Sequence, residues 1–145
     1  MVIGGEWVRD DDNVVRPYLW AHTIQPDGQA VREGFLVDSG ADCSQFSYRF
    51  VARLGIDLTS VQTRHAVVGV GGQSQVILID KRLVFETTDG GTITVNGPFF
   101  GSTEPDELDV SILGRDVLGN FDVIISRRRN EVLLLVGNHA YAITG

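Results

Sequence analysis

The stretch Phe35-Leu36-Val37-Asp38-Ser39-Gly40-Ala41-Asp42 decides the fold, because an apolar strand end delivers a carboxylate that is followed at once by two small residues. A strand of three large apolar side chains is buried on at least one face. A carboxylate at its end either forms a turn or is presented for chemistry. Taken alone, Asp-Ser-Gly does not separate those two roles.

Upstream and downstream of this stretch the sequence is a run of short β-branched segments punctuated by turn signals, the pattern of an all-β barrel or sandwich. Residues 2–8 and 14–24 read as strands flanking the polar turn Asp10-Asp11-Asp12-Asn13, and Pro26-Asp27-Gly28 turns the chain into a strand over 30–37. Phe46, Phe50, Val51 and Leu54 recur at helical spacing with Gly55 after them, which predicts one short helix over 47–54. Residues 61–70 and 74–85 form a hairpin whose tip is Gly71-Gly72. Gly90-Gly91 then turns into a strand over 92–97, and residues 102–109 read as an exposed acidic loop. Residues 110–113 are apolar, 114–118 suit one or two helical turns, and 121–125 pairs with 131–136 across an Arg127-Arg128-Arg129 turn. There is no internal repeat and no linker, so residues 1–145 are expected to form a single domain.

Bulk properties narrow the function. With 43% hydrophobic and 21% charged residues, the chain has the balance of an ordinary globular domain, and no apolar run reaches membrane-spanning length. A net charge of −7 argues against a nucleic-acid partner, which would require concentrated Lys and Arg. The N-terminal residues lack the basic start and apolar centre of a secretory signal, so a cytoplasmic location is the expectation. A single cysteine, Cys43, excludes an internal disulfide, and it is expected to be a small buried residue, with redox regulation as the less favoured alternative. His22, His65 and His139 belong to no metal or nucleophile motif, and Ser39 lies outside any Gly-x-Ser-x-Gly, so metal and serine hydrolases are set aside and no cofactor or metal is expected.

A second motif, Val110-Ser111-Ile112-Leu113-Gly114-Arg115-Asp116-Val117-Leu118, lies roughly 75 residues beyond Asp38. Together with the glycine-tipped hairpin, the two motifs resemble the retropepsin-like aspartic proteases in content, order and spacing over about residues 14–136. The resemblance implies a retropepsin-like acid protease barrel with one or two short helices, acting as a homodimer on polypeptide substrates. It implies Asp38, Ser39 and Gly40 as the catalytic loop: Asp38 as the reacting carboxylate, Ser39 reaching across the two-fold axis, and Gly40 leaving room for substrate backbone. Because the chain holds one such Asp-Ser-Gly, a second subunit must supply the partner carboxylate.

The same resemblance implies substrate contacts from Ala41 and Asp42 and from a flap comprising Gly69, Val70, Gly71 and Gly72. Arg115 and Gly114 are implied as structural support, with Arg115 pairing to Asp42. The extension beyond Leu118 is similar to that of cellular and bacterial members more than viral ones. Residues 132–136 then form either a subunit interface or an ordinary core strand. A catalytically silent dimerisation or peptide-binding module is the alternative that shares every one of these motifs.

Overall fold

The computed structural model describes residues 1–59, 65–69, 72–140, 142 and 144. Thirteen strands and two short helices are present among them: β1 (Val2–Gly4), β2 (Glu6–Arg9), β3 (Val15–Ile24), β4 (Ala30–Val37), β5 (Gln45–Phe46), α1 (Tyr48–Arg53), β6 (His65–Gly69), β7 (Gly72–Ile79), β8 (Arg82–Glu86), β9 (Thr92–Asn96), β10 (Phe99–Ser102), β11 (Ser111–Leu113), α2 (Arg115–Leu118), β12 (Asp122–Ser126) and β13 (Glu131–Leu135). The expected all-β class with two small helices is what the chain adopts.

A ten-stranded sheet runs in the order β6-β7-β10-β5-β11-β4-β3-β8-β9, and β2 also pairs with β3. A separate three-stranded sheet has the order β1-β13-β12. The expected strand over 2–8 is two strands, because at Gly5 the chain passes from the small sheet to the large one through a gap no side chain fits. A methyl on Gly5 would lie 2.2 Å from the Tyr18 carbonyl oxygen. Likewise the expected strand over 74–85 is divided between β7 and β8 at Asp80-Lys81. Ser102 and Thr103, expected in an exposed loop, are buried, since Ser102 closes β10 against β7.

Strand alternation places Phe35 and Val37 of β4 inside, while Leu36 faces the other way. Phe35 meets Phe46 and Phe50 with ring centroids 5.8 and 5.9 Å apart, and Phe46 stacks on Phe99 at 5.3 Å. Each fully buried ring of this kind contributes about 1.5–3 kcal/mol of burial free energy. Helix α1 supplies Phe50 and Val51 to that cluster. It starts where Ser47 accepts a hydrogen bond from the Phe50 amide, and it is followed by Gly55 at φ +70°. Its expected periodic set is buried as read, although Phe46 belongs to β5 rather than to the helix.

Residues 131–135 take the core alternative. Val132 and Leu134 are buried, and β13 is paired on both sides, by β1 and β12. The Arg127-Arg128-Arg129 run forms the turn between β12 and β13. Arg127 lies over the Trp7 ring and Arg129 pairs with Glu131 at 3.1 Å.

Beneath the sheet, Glu33 of β4 ties three elements together. It accepts from Ser111 Oγ at 2.9 Å and Ser47 Oγ at 3.4 Å, and it faces Arg53 at 3.5 Å, while Ser111 Oγ accepts from the Ser47 amide at 2.9 Å. Ser47 and Ser111 are buried, so removing their acceptor leaves two hydroxyl protons without an acceptor, although each oxygen still accepts from a backbone amide. Glu33→Ala is expected to lower stability by about 1–3 kcal/mol in urea unfolding, with the native spectrum retained.

Candidate active site

Asp38 follows β4 directly, and its position is fixed by backbone contacts. Its amide donates to the Leu113 carbonyl at 3.0 Å, extending the parallel pairing of β4 with β11, and its carbonyl accepts from the Ala41 amide at 3.2 Å. The side-chain Oδ1 accepts from the Gly40 amide at 3.0 Å, so the Asp38 carboxylate is held by the turn it begins. A methyl on Gly40 would stand 3.2 Å from that oxygen, which explains the small residue. Ser39, Gly40 and Asp42 are exposed, while Asp38 and Ala41 are partly covered.

The second motif holds this loop from below. The Arg115 amide donates to the Ala41 carbonyl at 2.9 Å and the Asp116 amide to the Asp42 carbonyl at 3.1 Å. The Arg115 guanidinium donates to the Ser39 carbonyl at 2.7 Å and pairs with Asp42, the pair that the resemblance implied. Both of those side chains are more than half exposed, so the pair itself is worth about 0–1 kcal/mol. Gly114 is enclosed: a methyl there would come within 2.6 Å of the Cys43 backbone.

Sequence reasoning missed the more buried half of the clamp. Asp116 Oδ1 accepts from the Ser44 amide at 2.9 Å, from Ser44 Oγ at 2.7 Å and from the Val117 amide at 2.9 Å. Ser44 Oγ in turn accepts from the Gly114 amide at 2.9 Å, and Ser44 is fully buried. The available signal was Asp116 itself, an acidic residue in the first turn of α2.

Cys43, expected to be buried, is exposed, because the chain turns outward between Asp42 and the inward-facing Ser44. Partial desolvation, with Asp116 and then Asp42 adding negative charge, raises its thiol pKa. The thiol is therefore a poor nucleophile at neutral pH. Alkylation of Cys43 at pH 7.5 should run slower than that of a free thiol and accelerate as the pH is raised.

Of the hairpin residues, Gly69 ends β6 and pairs with Gly72, which has φ +109°. Val70 and Gly71 lie outside the described residues. The hairpin leans back onto the sheet through His65, whose ring is 6.4 Å from that of Phe100. Among the described residues no cluster of three or more His, Cys, Asp or Glu is arranged to hold a metal, and no helix is long and apolar enough to cross a membrane.

A family model described as aspartyl protease matches residues 23–117. Among solved structures, a retropepsin-like aspartic protease from Rickettsia conorii superposes with a TM-score of 0.58 at 19% identity, covering 92% of this chain and 88% of that one. The EIAV protease, solved with the inhibitor HBY-793, gives a TM-score of 0.42 at 23% identity over 77% of this chain and 92% of that one. No curated protein sequence matches the chain.

Gly114→Ala forces a methyl into the Cys43 backbone, and such overpacking costs about 1–3 kcal/mol or more. Thermal unfolding of this variant should fall several degrees below wild type, and Cys43 alkylation should quicken as the loop loosens.

Proposed function

We infer that this chain, which belongs to the aspartyl protease family and has the retropepsin-like fold, is an endopeptidase whose active site is assembled from two copies of Asp38 in a homodimer. The observation that supports this reading best is the single Asp-Ser-Gly loop, held at its base by the second motif while its carboxylate end stays accessible. One carboxylate cannot be both acid and base in the same step. Two of them about 3 Å apart share one proton, because two like charges at that distance cannot both ionise cheaply. The ionised Asp38 then takes a proton from a water held between the pair, and the protonated one donates to the scissile carbonyl oxygen. The water adds to the carbonyl carbon, and the tetrahedral diol collapses as the Asp38 that took the water's proton passes it to the leaving nitrogen and the other recovers a proton from a diol hydroxyl, so the amine leaves without a covalent enzyme intermediate.

In this reading Ser39 steadies the partner loop, and Gly40, Ala41 and Asp42 line the path of the substrate backbone. The β6–β7 hairpin, with Gly69, Val70, Gly71 and Gly72 at its end, closes over the peptide by strand addition. The second copy is expected at the small sheet. Val123 and Ile125 of β12 pair with Leu134 and Val132, whose side chains are buried on the core face. Yet Val123 and Ile125 are 37% and 41% exposed, so the core face overhangs at the edge strand. An overhanging apolar edge with free backbone groups suits strand-to-strand contact with a symmetry mate.

Wild-type protein should cleave unfolded polypeptide, and Asp38→Asn should abolish cleavage while leaving the sedimentation mass that of a dimer. Equal turnover by the two proteins would leave only a peptide-binding or dimerisation module. The double substitution Val123→Lys with Ile125→Lys should shift the mass to that of a monomer and remove activity with it, while the unfolding midpoint stays close to wild type.

A further inference from the structure

The large sheet ends at β9, which among the described residues pairs only with β8 and leaves its other edge open. The pairing is regular from Arg82 opposite Asn96 to Glu86 opposite Thr92, with no bulge. Just beyond it on either side, the Gly97 amide donates to the Lys81 carbonyl at 2.8 Å and the Thr87 amide to the Gly91 carbonyl at 2.9 Å. Hydrogen-bonded and non-hydrogen-bonded pairs alternate along an antiparallel ladder, so Val95 and Ile93 turn their backbone groups toward β8. Thr92, Thr94 and Asn96 therefore turn theirs to the open edge. The side chains of those three residues are exposed, whereas Ile93 and Val95 are partly covered and pack against the core.

Edges of this kind are ordinarily blunted by charge, proline or a bulge. Thr92-Ile93-Thr94-Val95-Asn96 has none of these, on a chain whose net charge is −7. The strand is also complementary to itself. A second copy laid antiparallel about a two-fold axis at Thr94 pairs Thr94 with the partner's Thr94, Thr92 with the partner's Asn96 and Asn96 with the partner's Thr92. Each of these pairs exchanges both backbone bonds, so every open donor and acceptor of the edge is satisfied. Between them Ile93 meets the partner's Val95 in the closer, non-hydrogen-bonded spacing, which extends the partly covered core side of both copies. Charge favours the same direction. Lys81 and Arg82 stand at one end of the β8–β9 hairpin and Glu86 and Asp89 at the other, so the antiparallel arrangement sets the basic end of one copy beside the acidic end of the next.

We propose that the β9 edge is a second contact surface for another copy of this chain, separate from β12 and from the Asp38 loop, with Thr94 on its two-fold axis. Five residues from each copy make a contact well below the size of a stable interface, so it forms only at high protein concentration. A pair of chains joined at β12 carries two β9 edges, and association through them continues beyond four chains. A chain that cannot join at β12 stops at two, because an isologous contact uses up the edge.

The test is sedimentation of the full chain at protein concentrations from about 1 to about 100 μM, the range in which so small a contact shows itself. The wild-type mass is expected to rise at least twofold across that range, and that of the Val123→Lys, Ile125→Lys variant to go from one chain to two and no further. Thr94→Lys sets lysine opposite lysine and Thr94→Glu sets glutamate opposite glutamate, so each alone should keep its low-concentration mass at about 100 μM. An equimolar mixture of the two should recover the association, since only the mixed pair is attractive. The Thr94 side chain is exposed and its amide lies outside the β8 ladder, so both variants should keep the wild-type unfolding midpoint. A wild-type mass that stays constant to about 100 μM, association that persists in Thr94→Lys, or a mixture that stays dissociated overturns the proposal.

Discussion

The docking of the loop that follows β4 onto the turn that opens α2 is the interaction on which the rest depends. Its hydrogen bonds join residues 70 to 76 positions apart, as in Gly114 to Ser44 and Arg115 to Ser39. Closing a loop of that length has an entropic cost, which grows only slowly with the number of residues enclosed. That intervening chain contains β5, α1, the β6–β7 hairpin and β8–β10, so the clamp joins the two ends of a segment that holds most of the large sheet. Asp38 is positioned by the clamp's outermost rung, the bond from its amide to Leu113.

Within the clamp, the exposed ion pair is the conspicuous feature, and the contacts of Asp116 with Ser44 carry more of the stability. Arg115 and Asp42 lie in water, where screening and side-chain entropy cancel most of their attraction. The Asp116 carboxylate instead accepts three part-buried bonds beside a fully buried serine, and charge-assisted bonds are roughly twice as strong as neutral ones. Arg115 has a different effect: by holding the Ser39 carbonyl it restrains the exposed side of the loop. Stability and positioning thus fall to adjacent residues of one motif.

What the sequence made legible follows from the range of the forces involved. The strand over 30–37, the helix capped by Ser47 and ended before Gly55, and the turn at Arg127-Arg128-Arg129 are set by local patterning and capping, and they stand where the residues placed them. The two motifs also pointed to Arg115 and Asp42 together. The two-residue strand β5 and the strand β10 left no periodicity to read, since each exists only because its neighbours supply hydrogen bonds. The break at Gly5 is equally non-local, being set by the approach of the Tyr18 carbonyl. Cys43 was misjudged because composition favours burial, whereas it lies with Asp42 in an exposed stretch that turns inward only at Ser44, which bonds to Asp116.

Strand alternation governs the site. In β4 the period of two sends Phe35 and Val37 into the aromatic core, which commits Leu36, and Asp38 after it, to the opposite side. Pairing of Phe35 with Ser111 and of Val37 with Leu113 carries the same parity into β11, so Ile112 is outward because its neighbours are buried. A slip of one residue in either strand would bury Leu36 and Ile112 and push Phe35 to the surface, against several kcal/mol of ring burial. Core packing therefore fixes which side chains surround the Asp38 carboxylate, and a substitution that repacks Phe35, Phe46 or Phe99 reaches the site through register rather than through contact.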